Sequence, residues 1–288
     1  MPDAVLSVPA RYARHSRLSD PGDLAPFLST FPGEPAALGA TIRNLTAHYR
    51  ATPGLPEARL TEADTRWTEG ILRRIHDASD APLSEPRPLE QRFVGCCRDD
   101  ALLFVAAMRE HGVAARSRVG FAPYFRPEFV GDHVIAEYWN GQRWVRLDPE
   151  LDPARYDFDT EDMPAEVFLT AAQVWQGVRM GRLDAARFGV FPEAPEFLRG
   201  PDFIRRNLLL ELAALNGMEV LLWDGWGLAD TPAAELIGAD LTLLDEVAAG
   251  LIADDNAAIT RLYLDPLLTV PPVVHTWPRD GGEHDVRL

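Results

Sequence analysis

The chain has 288 residues, of which 47% are hydrophobic, and its formal net charge is −16. This charge disfavours nucleic acid as a partner, because phosphate binding requires a basic surface. No run approaches the roughly 20 apolar residues of a membrane span, and the start lacks the apolar core of a signal peptide, so we expect a cytoplasmic protein with no membrane partner. Its two cysteines, Cys96 and Cys97, are adjacent and cannot join distant segments, so we expect reduced thiols.

The pattern of apolar and turn residues divides the chain into three regions of a single protein. Residues 1–84 have the pattern of helices broken by proline and glycine, and a proline-rich stretch follows. Residues 85–160 contain an apolar helix from Cys97 to His111, closed by Gly112, then a strand of sequence ARSRVGF, a loop and a hairpin. Residues 161–288 return to a helical pattern. We expect residues 85–160 to be the functional core.

The hairpin consists of DHVIAEYW, then Asn140 and Gly141, then QRWVRLDPE. An Asn-Gly pair between two strands predicts a two-residue primed turn. With that turn Trp139 faces Gln142 and His133 faces Asp148. Directly opposite residues have Cβ atoms roughly 5 Å apart, close enough for a carboxylate to accept from an imidazole.

This pairing requires an unbulged ladder, because one extra residue in either strand would put the histidine and the aspartate on opposite faces. Two other carboxylates are therefore alternatives as the partner of the histidine. Asp152 would serve if the second strand continued, and Glu137 shares a face with His133 about 13 Å away.

Cys97 stands at the head of the apolar helix, where the helix dipole stabilises a thiolate. With His133 as base and Asp148 as orienter, the residues form the nucleophile, base and orienter of a thiol enzyme. Arg98 and Asp99 either tune the thiol or cap the helix through a local ion pair. Cys96 is expected to be an inert buried thiol.

The segments GCCRDDALLF, DHVIAEYW and RWVRLDPELD resemble, in order and spacing, the core of the transglutaminase-like superfamily within the papain-like cysteine fold. Other segments look like a bacterial transglutaminase-like group of similar length. The resemblance implies an α+β fold, with the cysteine helix packed on an antiparallel sheet and with Cys97, His133 and Asp148 as the triad. Gln91 lies six residues before Cys97, the spacing of the oxyanion glutamine in papain-like proteases, and is a candidate second oxyanion donor after the N–H of Cys97. The chain departs from the family pattern at Asp100, where an aromatic residue is common.

Three functions agree with these residues. The first is acyl transfer through a thioester, from a peptide or small-molecule amide, ester or thioester to an amine, as in a transglutaminase or amide synthase. The second is hydrolysis by the same triad, as in a cysteine peptidase or amidase. The third is a non-catalytic scaffold. We expect no cofactor and no metal, because no calcium site of the transglutaminase type is evident and the remaining histidines show no ligand-like pairing; they are His15, His48, His76, His111, His275 and His284.

Overall fold

The computed structural model describes residues 10–278 and 281–288. The α-helices of this part of the chain are α1 (Ala25–Leu28), α2 (Pro35–Leu45), α3 (Thr68–Ala78), α4 (Cys97–Glu110), α5 (Ala171–Arg179), α6 (Gly200–Leu215), α7 (Gly227–Asp230), α8 (Gly238–Ile252) and α9 (Asn256–Leu262). The strands are β1 (Thr46–His48), β2 (Phe93–Gly95), β3 (Ala115–Ala122), β4 (Val130–Trp139), β5 (Trp144–Leu147), β6 (Leu169–Thr170), β7 (Phe188–Gly189), β8 (Asp224–Gly225), β9 (Val273–Thr276) and β10 (His284–Arg287). Short 3-10 helices connect several of these elements.

The described residues form two compact units. The first unit contains the residues up to Ser117 together with Ile135–Pro164, and the second contains Arg118–Val134 and the described residues from Ala165 onward. Strands β3 and β4 each run from one unit into the other along the chain. Both regions predicted to be helical also contain short strands. The chain is therefore an α+β protein, as predicted.

Helix α4 is the centre of the first unit. Its residues from Cys97 to Arg109 are all buried, because LLFVAAM offers an apolar side chain in every direction. Its apolar side chains share one core with α2, α3, β2 and the strands β3, β4 and β5. The helix ends where predicted, at Gly112, which has a φ of 74° and donates its N–H to the carbonyl of Arg109.

The hairpin of the first unit has a different register from the one predicted. Trp139 pairs with Trp144, and Ala136 pairs with Leu147, so the register is shifted by two residues. The cause lies in the turn, whose central residues are Gly141 and Gln142. Asn140 stands before them, and its side-chain oxygen accepts the N–H groups of Gln142 at 3.0 Å and of Arg143 at 2.9 Å, while Gly141 adopts a φ of 96°.

This register corrects the expected pairing of His133 directly with Asp148. If the ladder is continued beyond Leu147, the residue of β4 opposite Asp148 is Ile135. Because the side-chain period of a strand is two, a shift by two residues leaves every residue on its predicted face. The predicted cross-strand partner of His133 was therefore wrong, while the alternation of faces along β4 is as predicted.

The second unit combines short strand pairs with helices. The end of β3 pairs with β6, and the start of β4 pairs in parallel with β7. Helix α5 packs against α6 and α8. A buried ion pair at 2.6 Å joins Arg118 of β3 to Glu211 of α6, and Glu211 also accepts the N–H of Ala172 at the start of α5. Strands β8, β9 and β10 form a small antiparallel sheet.

None of the described helices is long and apolar enough to cross a membrane.

Candidate active site

Cys97 is the first residue of α4, and Cys96 is its extended N-cap, with a φ of −140° and a ψ of −179°. The N–H of Cys96 donates to the Asp99 carboxylate at 2.9 Å, and the Cys96 sulfur accepts from the N–H of Asp99, which completes a capping box. Both thiols are free of disulfide bonds and buried. The sharp turn from β2 into the helix therefore sets the Cys97 thiol at the positive end of the helix dipole.

Two details make this turn possible. Gly95 has no Cβ, and one built there would lie 2.7 Å from an Asp99 carboxylate oxygen and 2.6 Å from the ring of Phe93. Glu62 accepts the N–H of Val94 at 3.0 Å and so holds the middle of β2.

Arg98 and Asp99 form a buried ion pair at 2.8 Å. Arg98 also donates to the carbonyl of Arg66 at 2.6 Å. Burial raises the pKa of the Asp99 carboxyl, and Arg98 opposes that rise. The sequence left two roles open for Arg98 and Asp99, and the structure shows the local ion pair and helix cap. An influence of this pair on the thiol stays a prediction.

The two thiols differ in their surroundings. The pKa of the Cys96 thiol is lowered by its hydrogen bond with Cys97, but burial and the Asp99 carboxylate outweigh this and raise it above its ordinary value. A thiol held in its neutral form is a poor nucleophile. This environment fits the expectation that Cys96 is the inert member of the pair.

A short strand that was not predicted brings a histidine to the thiol. Strand β1 pairs in parallel with β2, and His48 is aligned with Gly95. Because parallel strands end at the same edge, the last residue of β1 comes close to the residues that follow β2. A ring nitrogen of His48, the Cys97 sulfur and a carboxylate oxygen of Glu150 all lie within 4.8 Å of one another. His48 was wrongly judged to have no ligand-like neighbour, and Glu150 was not singled out.

The orientation of His48 is fixed by its own backbone. Its Nδ1 accepts the N–H of Arg50 at 3.1 Å and the N–H of Ala51 at 3.3 Å, and its ring stacks on Tyr49. A ring nitrogen that accepts hydrogen bonds carries no proton, so neutral His48 has its proton on Nε2.

Glu150 and Asp148 belong to a tightly held segment after β5. Asp148 is buried, donates its N–H to the carbonyl of Thr160 at 3.0 Å and accepts the N–H of Glu150 on its side chain at 3.1 Å. Arg43, from the last turn of α2, donates to the carbonyl of Pro149 at 3.4 Å. The position of the Glu150 carboxylate is thus set by its neighbours in the first unit.

Asp100 adds a further buried acid. Burial raises the pKa of its carboxyl well above the ordinary value, and the negative charges of Glu150, Asp99 and Asp148 act in the same direction, while a hydrogen bond with Thr46 opposes them. Asp100 is therefore a neutral carboxylic acid over part of the pH range in which ordinary aspartates are ionised.

His133 lies in the second unit, in the first half of β4. Its ring is buried and meets the ring of Phe125 edge-on, with centroids 5.0 Å apart, and that of Tyr124 at 6.1 Å. Cys97 and Asp148 lie in the first unit. The assembly of Cys97, His133 and Asp148 into a triad remains a prediction.

The other candidates have the following places. Glu137 accepts from Arg116 at 2.8 Å and from Arg146 at 3.1 Å, which makes it part of a structural ion-pair network. Asp152 is exposed and caps a 3-10 helix through the N–H of Ala154. Gln91 is half-buried at the end of a short 3-10 helix before β2, and its role as an oxyanion donor stays a prediction.

Cysteine, histidine and glutamate are also the ligand types of a transition metal, so His48, Cys97 and Glu150 have the residue types of a metal site. A metal would need a lone pair of the His48 ring. The Nδ1 lone pair already accepts two N–H groups, and freeing the Nε2 lone pair would move the proton to Nδ1 and break both bonds. The three residue types suit a transition metal, but the His48 ring is held in the tautomer with its proton on Nε2, which offers the metal no lone pair there.

Residues 69–149 match the sequence model of the transglutaminase-like superfamily, and this range contains Cys97, His133 and Asp148. The resemblance predicted from the sequence is confirmed for these residues, and the α+β fold is consistent with a transglutaminase-like, papain-like core. A crystal structure of a candidate cysteine protease from Cytophaga hutchinsonii is similar to the chain, with 17% identity, a TM-score of 0.35, and coverage of 58% of this chain and 49% of the other. The chain thus spans about half the length of that protein. No curated protein shows significant similarity to the chain.

Proposed function

We propose that the protein is a cysteine-dependent acyltransferase that works through a thioester on Cys97, with His133 as the base and Asp148 as its orienter. The observation that carries the proposal is the position of Cys97: the first residue of a buried helix, inside the range that matches the superfamily. A helix N-terminus is one of the features that activate catalytic thiols.

The reaction begins when the Cys97 thiolate attacks the carbonyl carbon of an amide, ester or thioester. The C=O π bond opens to an oxyanion, which collapses and expels the leaving group with a proton from the His133 imidazolium. The product is a thioester on Cys97. His133 then takes a proton from the acceptor, which attacks the thioester and expels the Cys97 thiolate, so that the thiolate and imidazolium of the starting enzyme are restored.

Glu150 favours an amine over water as the acceptor. Its carboxylate lies within 4.8 Å of the Cys97 sulfur, and an amine arrives at neutral pH as an ammonium ion. A carboxylate at this distance attracts the cation to the thioester. Hydrolysis by the same residues is the second candidate, and it dominates if the pocket admits water freely.

The first test is the formation of an acyl-enzyme, measured by intact mass after incubation with p-nitrophenyl acetate. We expect one acetyl group on the wild type and on Cys96→Ala, and none on Cys97→Ala. Acylation should fall in His133→Ala, and by a smaller factor in Asp148→Asn. An acetyl group that persists in Cys97→Ala, or that depends on Cys96, contradicts the proposal and moves the scaffold function to the front.

The acceptor is tested by adding a primary amine to the acetylated enzyme and measuring the ratio of amide to acetate. All 28 basic residues of the chain are arginine, so no lysine side chain competes for the acyl group. A large excess of amide supports the transferase. Release of acetate alone, unchanged by the amine, supports the hydrolase.

A further inference from the structure

We propose that His48 is a catalytic residue, whose Nε2–H donates a hydrogen bond to the oxyanion formed when Cys97 attacks a carbonyl. The inference rests on the proposed acyl-transfer function and assigns to His48 the second oxyanion donor, the role that sequence spacing suggested for Gln91. The first donor is the backbone N–H of Cys97, which lies outside the hydrogen-bond ladder of α4 as the N–H of a first helical residue.

The distance between His48 and the thiol satisfies the geometry of such a donor. An oxyanion on a carbon bonded to sulfur lies about 2.6 Å from that sulfur, and an effective donor lies about 2.9 Å from the oxyanion, so a donor can stand up to about 5.5 Å from the sulfur. A ring nitrogen of His48 is within 4.8 Å of the Cys97 sulfur. The pairing of His48 with Gly95, two residues before Cys97, fixes this proximity through the backbone.

The hydrogen bonds of the ring decide between a donor and a base. A general base must present a lone pair to the thiol. The Nδ1 lone pair of His48 is directed at the N–H groups of Arg50 and Ala51, so the neutral ring has a proton, not a lone pair, on Nε2. His48 is therefore preorganised to donate, which leaves the proton transfer to His133.

Glu150 is the acidic group that faces this position, since its carboxylate is within 4.8 Å of the same ring nitrogen. Its negative charge opposes the oxyanion during the reaction. A neutral N–H donor from His48 would stabilise the oxyanion against this charge.

Two substitutions distinguish loss of the N–H donor of His48 from disruption of the fold. His48→Asn keeps an acceptor for the N–H groups of Arg50 and Ala51 but has no group at the position of Nε2. His48→Gln places an N–H donor near that position. His76→Asn is the matched control, because His76 is exposed on α3.

Each variant is compared in two reactions of Cys97, with thermal unfolding as a check of the fold. Acetylation by p-nitrophenyl acetate passes through an oxyanion, whereas alkylation by iodoacetamide does not. We expect His48→Asn to slow acetylation by about 100-fold while alkylation keeps its rate and pH profile. His48→Gln should recover acetylation to within about tenfold of the wild type, on the same oxyanion-donor reasoning, and His76→Asn should change neither reaction.

Three results would overturn the inference. Acetylation at the wild-type rate in a folded His48→Asn protein excludes the donor role. A parallel loss of acetylation and alkylation in both His48 variants makes His48 part of thiol activation instead. A wild type that is alkylated but never acetylated on Cys97 removes the proposed function itself, whatever the His48 variants do.

Discussion

Glu150→Gln tests the electrostatics of the site, because it removes one negative charge within 4.8 Å of the Cys97 sulfur. Two unit charges at that distance interact by about 0.9 kcal/mol in bulk water and by about 3.5 kcal/mol at an effective dielectric constant of 20. Glu150 is half-buried, so the lower part of this range applies, about 1–2 kcal/mol. The carboxylate opposes formation of the thiolate, and its removal should lower the apparent pKa of the Cys97 thiol by about one unit.

The assay is the rate of iodoacetamide alkylation against pH, followed by intact mass in a Cys96→Ala background in which Cys97 is the only thiol. We expect the midpoint of the profile to move to lower pH by about one unit in Glu150→Gln. Glu57→Gln is the control, because it makes the same change in net charge at an exposed position, where solvent and salt screen it.

The sign of the shift decides the role of Glu150. A midpoint that moves to higher pH would mean that the carboxylate supports an imidazolium beside the thiolate, as the third member of a Cys97, His48 and Glu150 triad. That result would refute both the electrostatic reasoning and the assignment of His48 as a neutral donor. An unchanged midpoint would mean that the charge of Glu150 does not reach the thiol.

Two further predictions concern stability. Burial and neighbouring carboxylates raise the pKa of Asp100 in the folded protein. Between the ordinary and the raised pKa, the folded state therefore binds more protons than the unfolded state. The free energy of unfolding should fall in this pH range as pH rises, by up to about 1.4 kcal/mol per pH unit. Denaturant unfolding should show this slope in the wild type and a shallower one in Asp100→Asn; equal slopes would show that Asp100 titrates normally. Gly95→Ala should lower the free energy of unfolding by about 1–3 kcal/mol and slow alkylation, because the new Cβ would press on Asp99 and Phe93. The control is Gly238→Ala, whose Cβ meets no atom within 4 Å, and equal stability of the two variants would contradict the steric argument.

The sequence by itself determined the local features of the core. The apolar run after Cys97 predicted the buried helix, Gly112 predicted its end, and the alternation around Asn140 and Gly141 predicted the hairpin, because helix caps, turns and periodicity depend on neighbouring residues. The spacing of the cysteine, histidine and aspartate segments predicted the superfamily.

The register of the hairpin was not determined locally. The Asn140–Gly141 pair predicted the turn itself, but the side chain of Asn140 caps the two following N–H groups and moves the turn forward by one residue. A change of one residue in the turn moves the register by two, which no strand pattern with a period of two can detect.

Only the tertiary structure decided that His48 and Glu150 lie beside Cys97. His48 reaches the thiol through the parallel pairing of β1 with β2, two three-residue strands that stand 44 residues apart in sequence. Glu150 reaches it because Arg43 and Thr160 hold the backbone around Pro149. Pairings between distant segments depend on how the core packs rather than on the residues within either segment, and they therefore leave no local signal in the chain.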